Sequence, residues 1–77
     1  MNLRTIKVTE YKGKKIYIRN FGEIFEYLVI LKKELYTAHI VLKKKFLQKE
    51  YSKLEFEKAT EIIEKMAEAT IDSILEK

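Results

Sequence analysis

The 77-residue chain contains no cysteine, no proline and no tryptophan, and it has only two glycines and one histidine. Without cysteine there is neither a disulfide framework nor a thiolate zinc site to staple a small fold, and there is no thiol nucleophile. A single histidine, His39, leaves neither a histidine metal cluster nor a Ser–His pair within one chain. Ser52 and Ser73 stand outside any G-x-S-x-G setting, and Gly13 and Gly22 are too far apart for a phosphate loop. Met1–Thr5 carries no apolar signal region, and no apolar run approaches the roughly 20 residues that cross a bilayer. These absences predict a cytoplasmic, non-enzymatic protein with no cofactor, no metal and no membrane partner.

Lysine and glutamate dominate the polar residues, against one glutamine and two asparagines. That amide-poor balance resembles the surfaces of thermophile proteins. The length suits a single domain over residues 1–77. A chain this short buries only about 60% of its unfolded surface, so dimerisation is a common way to complete its core. The net charge of +4 is unevenly spread. Residues 1–51 hold twelve Lys/Arg and five Glu, whereas residues 52–77 hold four Lys and seven acids. The basic portion is the one that would meet a polyanion, although charge of this size also serves solubility.

Leu3–Glu10 alternates, with Ile6 and Val8 on one face and Thr5, Lys7 and Thr9 on the other. Lys15–Arg19 alternates again around Ile16 and Ile18. Gly13 between them supplies a positive φ, so a β-hairpin with one apolar face is expected. At the other end, Ser52-Lys-Leu-Glu55 has capping-box spacing. Ala59, Ile62, Ile63, Met66, Thr70, Ile71 and Ile74 then recur at steps of three and four. This predicts a helix over about 52–76, with Glu57, Glu61, Glu64, Lys65 and Glu68 on its solvated side.

The middle of the chain, EYLVILKKELYTAHIVLK, reads two ways. Ile24, Leu28, Leu31, Leu35, Ala38, Leu42 and Phe46 follow helical spacing, and a ββαα fold with residues 21–50 helical results. A helix, however, would point Val29, Ile30, Ile40 and Val41 away from that stripe. Residues 24–31 and 35–42 are dense in β-branched and aromatic residues, which favour a pleated surface. The favoured reading is α+β: a four-stranded antiparallel meander followed by one long C-terminal helix. Its weak point is the tip Lys32–Glu34, which lacks Gly and Asn.

In that fold Phe25, Tyr27, Val29 and Leu31 fill one face of strand three, and Ile24, Leu28 and Ile30 fill the other. Strand four sets Tyr36, Ala38, Ile40 and Leu42 against Thr37, His39 and Val41. One helix cannot cover both faces, so a homodimer is expected, by sheet-face packing or by edge pairing of strand four. Leu28, Ile30, Tyr36 and His39 are the candidate interface residues. A lone histidine on a half-buried strand is ordinarily a packed residue; pairing across a dimer axis is its one catalytic option.

The acidic row on the last helix, with Lys58 and Lys65 beside it, reads as a solvated face rather than a cation site. The basic residues are more suggestive. The topology gathers Lys12, Lys14, Lys15, Lys32 and Lys33 at one sheet end, and Arg4, Arg19, Lys43, Lys44 and Lys45 at the other. Tyr17 lies between Lys15 and Arg19. Cations beside exposed rings suit single-stranded nucleic acid, although lysines at sheet ends also deter edge-to-edge aggregation.

The stretch Val8-Thr-Glu-Tyr-Lys-Gly-Lys-Lys-Ile-Tyr-Ile-Arg19 resembles the aromatic-Lys-Gly-Lys hairpin of PC4-type transcriptional coactivators. The resemblance covers about twelve residues, and the Lys43–Tyr51 connection is longer than that family's direct entry from sheet to helix. It implies a dimer that binds single-stranded DNA on its sheet, with Lys12, Lys14, Lys15, Tyr17 and Arg19 as contacts. Lys43, Lys44 and Lys45 join them as candidates from the charge distribution. The function expected is a small nucleic-acid-binding accessory protein; the alternative is a protein–protein interaction module that uses an apolar sheet face.

Overall fold

The computed structural model describes residues 5–76, which form one antiparallel sheet in the order β1-β2-β3-β4 and one helix. The elements are β1 (Thr5–Tyr11), β2 (Lys14–Phe21), β3 (Ile24–Leu31), β4 (Glu34–Val41) and α1 (Lys53–Leu75). The middle of the chain is therefore two strands, and the ββαα alternative is excluded. Leu3 and Arg4, expected at the start of β1 and in the basic cluster, lie outside the described residues.

Each hairpin turns on two residues. Lys12 (φ 52°) and Gly13 (φ 78°) are both left-handed, the type I′ pattern whose twist matches that of the flanking strands. Gly22 (φ 55°) alone is left-handed in the second turn, as in type II′. The third turn places Lys32 (φ 52°) and Lys33 (φ 67°) in the same conformation as the first without a glycine. A left-handed L-residue costs roughly 1–2 kcal/mol, so the register on either side must impose this turn. That register runs unbroken from Leu31↔Glu34 to Ile24↔Val41. Lys32→Asn combined with Lys33→Gly is expected to stabilise the fold by about 1–2 kcal/mol. The readout is a higher urea midpoint at unchanged slope; an unmoved midpoint would show that the turn carries no such strain.

The core lies between one sheet face and α1. Ile16 and Ile18 of β2 and Phe25, Tyr27, Val29 and Leu31 of β3 are buried there. From α1 come Ala59, Ile63, Ala67 and Ile71, one residue every fourth position, as one helix face requires. The two alanines let the helix backbone sit close to the sheet, while the isoleucines fill the space between strands. The Tyr27 hydroxyl meets Thr70 Oγ1 at 2.6 Å, which satisfies the polar tip of this buried ring. Ser52 caps the helix: Glu55 N donates to Ser52 Oγ, and Ser52 N donates to Glu55 Oε1 at 2.9 Å. The bond from Ser52 N, with one from Gln48, holds the Glu55 carboxyl below its usual range. An aromatic cluster closes this end, with Phe25 5.3 Å from Phe56 and 5.7 Å from Tyr51 between ring centres.

Strand β1 differs from its expected facing. The two-residue turn opposes residues whose numbers total 25, so Lys7 faces Ile18, Val8 faces Tyr17 and Thr9 faces Ile16. Val8 thus lies on the face away from the helix, and the first hairpin is not apolar on one side only. A bulge between Thr5 and Lys7 separates Ile6 from Val8 and turns it toward the helix, where it lines a groove with Phe56 and Thr60. Lys7 fills its place on the inner face by pairing with Glu64 at 2.7 Å. Glu64 is consequently a contact to β1 rather than part of the solvated helix face.

Candidate functional site

The sheet face opposite α1 has no cover among the described residues. Cross-strand pairing arranges it in rows. Val8, Tyr17, Leu28 and Thr37 form one row, Thr5, Arg19, Glu26 and His39 the next, and Phe21, Ile24 and Val41 a third. Ile30 and Leu35 form a pair toward the opposite end, 65% and 61% exposed. Val8, Tyr17, Ile24 and Val41 are exposed as well. An apolar surface of this extent is unusual on a soluble monomer.

The charges on this face are matched. Arg19 donates from Nε to Glu26 Oε1 at 2.9 Å and pairs through Nη2 with the same oxygen. The guanidinium lies 4.9 Å from the Phe21 ring centre, so it is both neutralised and stacked. Lys15 stands opposite Glu10. Among the described residues, two cations of this face each stand opposite a carboxylate across a strand pair.

The eight candidate nucleic-acid contacts scatter. Lys15, Tyr17 and Arg19 share the open face. Lys14 pairs with Tyr11 at the start of the inner face, and Lys12 binds Asp72 near the end of α1. Lys43, Lys44 and Lys45 lie in the connection to the helix. Lys44 is committed there: its N donates to Glu23 Oε2, its Nζ donates to Lys49 O at 2.8 Å, and its ammonium lies over Tyr51. The four candidate interface residues divide. Leu28, Ile30 and His39 belong to the open face, with His39 opposite Glu26, whereas Tyr36 faces the helix side and is half-buried. Strand alternation puts Tyr36 one residue out of phase with Leu28 and Ile30, and so on the other face from them.

Two features escaped the sequence reading. Val8 and Leu35 join the open face, and counting outward from a two-residue turn at Lys12-Gly13 would have placed Val8 there. Phe46 and Leu47 sit at the tip of the β4–α1 connection, 93% and 84% exposed. Leu47 is left-handed at φ 66°, inside the turn closed by Gln48 N donating to Lys45 O.

The Tyr11–Lys12–Asp72 cluster ties the first turn to α1. The Tyr11 hydroxyl donates to Asp72 Oδ2 at 3.0 Å, and Lys12 donates to Oδ1. The hydrogen bond from Lys12 holds the Asp72 carboxyl below its usual range, with Tyr11 assisting. A carboxyl depressed by folding stabilises above its unfolded pKa, and that contribution fades as pH falls through the folded pKa. Asp72→Asn should therefore flatten the acid side of the stability–pH curve, measured by urea unfolding between about pH 2 and 5. An unchanged acid limb would show that the cluster contributes nothing.

Among the described residues no three His, Cys, Asp or Glu side chains converge on a metal position, and no helix is long and apolar enough to cross a membrane. The remaining grooves, such as that between Asn20, Lys44, Tyr51 and Glu57, mix charges of both signs without a convergent set. Comparison with protein-family models, with curated proteins and with solved structures finds no match to this chain.

Proposed function

We propose that this protein is a non-catalytic interaction module whose open sheet face docks an amphipathic helix of a partner protein. The observation that carries the reading is a broad apolar face on which Arg19 is paired with Glu26 and Lys15 stands opposite Glu10. Phosphates would have to compete with Glu26 for Arg19, whereas an apolar surface can lie over the neutral pair without disturbing it. The sheet already accepts one amphipathic helix on its inner side. Four strands at about 4.8 Å spacing offer the outer side a platform about 14 Å across, enough for a helix roughly 10 Å in diameter.

Affinity capture with tagged protein tests this by comparing wild type, Ile30→Asp and the triple variant Lys14→Ser/Lys15→Ser/Arg19→Ser. The expected result is a protein retained by wild type and by the triple variant, lost from Ile30→Asp, and bound again when purified. A partner lost from the triple variant but kept by Ile30→Asp would overturn the reading.

One observation favours a second reading. Lys15, Tyr17, Arg19 and Phe21 alternate cation and ring along the open side of β2, a strip on which bases can stack while phosphates meet the cations. Lys15, Tyr17 and Arg19 of this strip are among the contacts that the resemblance to PC4-type coactivators implies. Fluorescence anisotropy of a labelled single-stranded oligonucleotide decides it: micromolar binding that weakens steeply with salt supports the strip, and no binding at low salt removes it.

A further inference from the structure

The two edges of the sheet are built differently. β1 is interrupted by a bulge and carries the inward-pointing Lys7, both of which deter strand addition. β4 has neither. From Leu35 to Val41 it contains no Lys, Arg, Asp or Glu, no proline and no bulge, and its pairing with β3 is continuous. Its flank is also unfinished. Ile40 and Leu42 line an open apolar groove with Ala59 and Ile62, and Ile62 is 52% exposed although it lies in the apolar stripe of α1. The helix covers the inner side of β3 completely and leaves Tyr36, Ala38 and Ile40 of β4 half-buried.

We infer that β4 pairs antiparallel with β4 of a second copy of this chain across a two-fold axis at Ala38, joining the sheets into one of eight strands. Ladder alternation sets the register. Leu31 and Glu34 close a two-residue turn as a hydrogen-bonded pair, so Tyr36, Ala38 and Ile40 direct their backbone groups toward β3. Leu35, Thr37, His39 and Val41 direct theirs outward, free to bond another strand. A two-fold axis at Ala38 lets Thr37 exchange hydrogen bonds with His39 of the second copy, and Leu35 with Val41. It also sets Ala38 against its symmetry mate as a close, non-hydrogen-bonded pair, where a small side chain fits. Tyr36 then meets Ile40 of the second copy on the helix side, next to the groove at Ile62. Thr37 opposite His39 and Leu35 opposite Val41 place no like charges face to face. The pairing is independent of what docks on the open face, which it extends from four strands to eight.

The chain's lack of cysteine makes the test direct. Ala38→Cys introduces one thiol per chain, at a position where paired Cβ atoms approach closely enough for a disulfide. Sedimentation equilibrium of the wild type is expected to give twice the chain mass, and mild oxidation should convert most of Ala38→Cys to a cross-linked dimer. Ile30→Cys, on the open face, should remain uncross-linked, and Ile30→Asp should keep the dimer mass. His39→Pro removes an outward N–H without touching the β3 ladder, so its mass should fall by half while its circular dichroism stays native. A monomeric wild type, or cross-linking of Ile30→Cys as readily as of Ala38→Cys, would overturn the proposal. If His39→Pro does not fold, the two cysteine variants alone decide.

Discussion

Phe25→Ala is expected to destabilise the protein by about 3–5 kcal/mol, the range for emptying a fully buried aromatic site. Phe25 has no exposed surface and packs against both Tyr51 and Phe56. Tyr51 precedes α1 and Phe56 lies near its start, so a cavity at Phe25 loosens the helix N-terminus as well as the sheet. The total available is small: at roughly 0.05–0.15 kcal/mol per residue, a domain of this length has about 4–12 kcal/mol. Much of the population should therefore unfold at moderate temperature. Urea titration followed by circular dichroism at 222 nm measures it; a loss below about 1 kcal/mol would mean that the cluster collapses into the gap.

The second large effect is a contrast between neighbours. Val29 is 1% exposed and Ile30 is 65% exposed. Val29→Asp buries a carboxylate beside Ile63 and its neighbours with no cation to pair it, at a cost of several kcal/mol, and should abolish the folded state near neutral pH. Ile30→Asp puts the same group on the uncovered face, where the cost is about 1 kcal/mol or less, chiefly lost strand propensity. Thermal unfolding of the two variants side by side reads the difference. Comparable losses would indicate that the open face is buried in the assembled protein. The contrast also qualifies Ile30→Asp as a probe of docking, since a variant that folds can lose a partner for reasons of surface alone.

Much of the architecture was legible because its determinants are local. Alternation around Ile16 and Ile18, the glycine at position 13 and the capping box at Ser52–Glu55 each act within a few residues. The two-faced apolar pattern of β3 was equally readable, and with it the conclusion that one helix leaves a sheet face uncovered. The third turn carried no signal, since Lys32 and Lys33 adopt a conformation that neither prefers. It forms because pairing of Phe25, Tyr27 and Val29 with β4 leaves two residues to reverse the chain.

Tertiary structure decided the rest. Alternation in β1 states that Ile6 and Val8 differ from Lys7 and Thr9, but not which set meets the helix. A one-residue change of register exchanges the faces, and the turn and the bulge selected the less obvious choice. The charges behaved alike: Lys12, Arg19 and Lys44 read as exposed basic residues, yet Lys12 is engaged by Asp72, Arg19 by Glu26, and the Lys44 ammonium by the Lys49 carbonyl and the Tyr51 ring. By itself the sequence determined which elements form, because hydrogen bonding and side-chain alternation act over short distances. Only the folded chain determined which charges remain available and which apolar faces stay open, because those depend on residues brought together from distant positions.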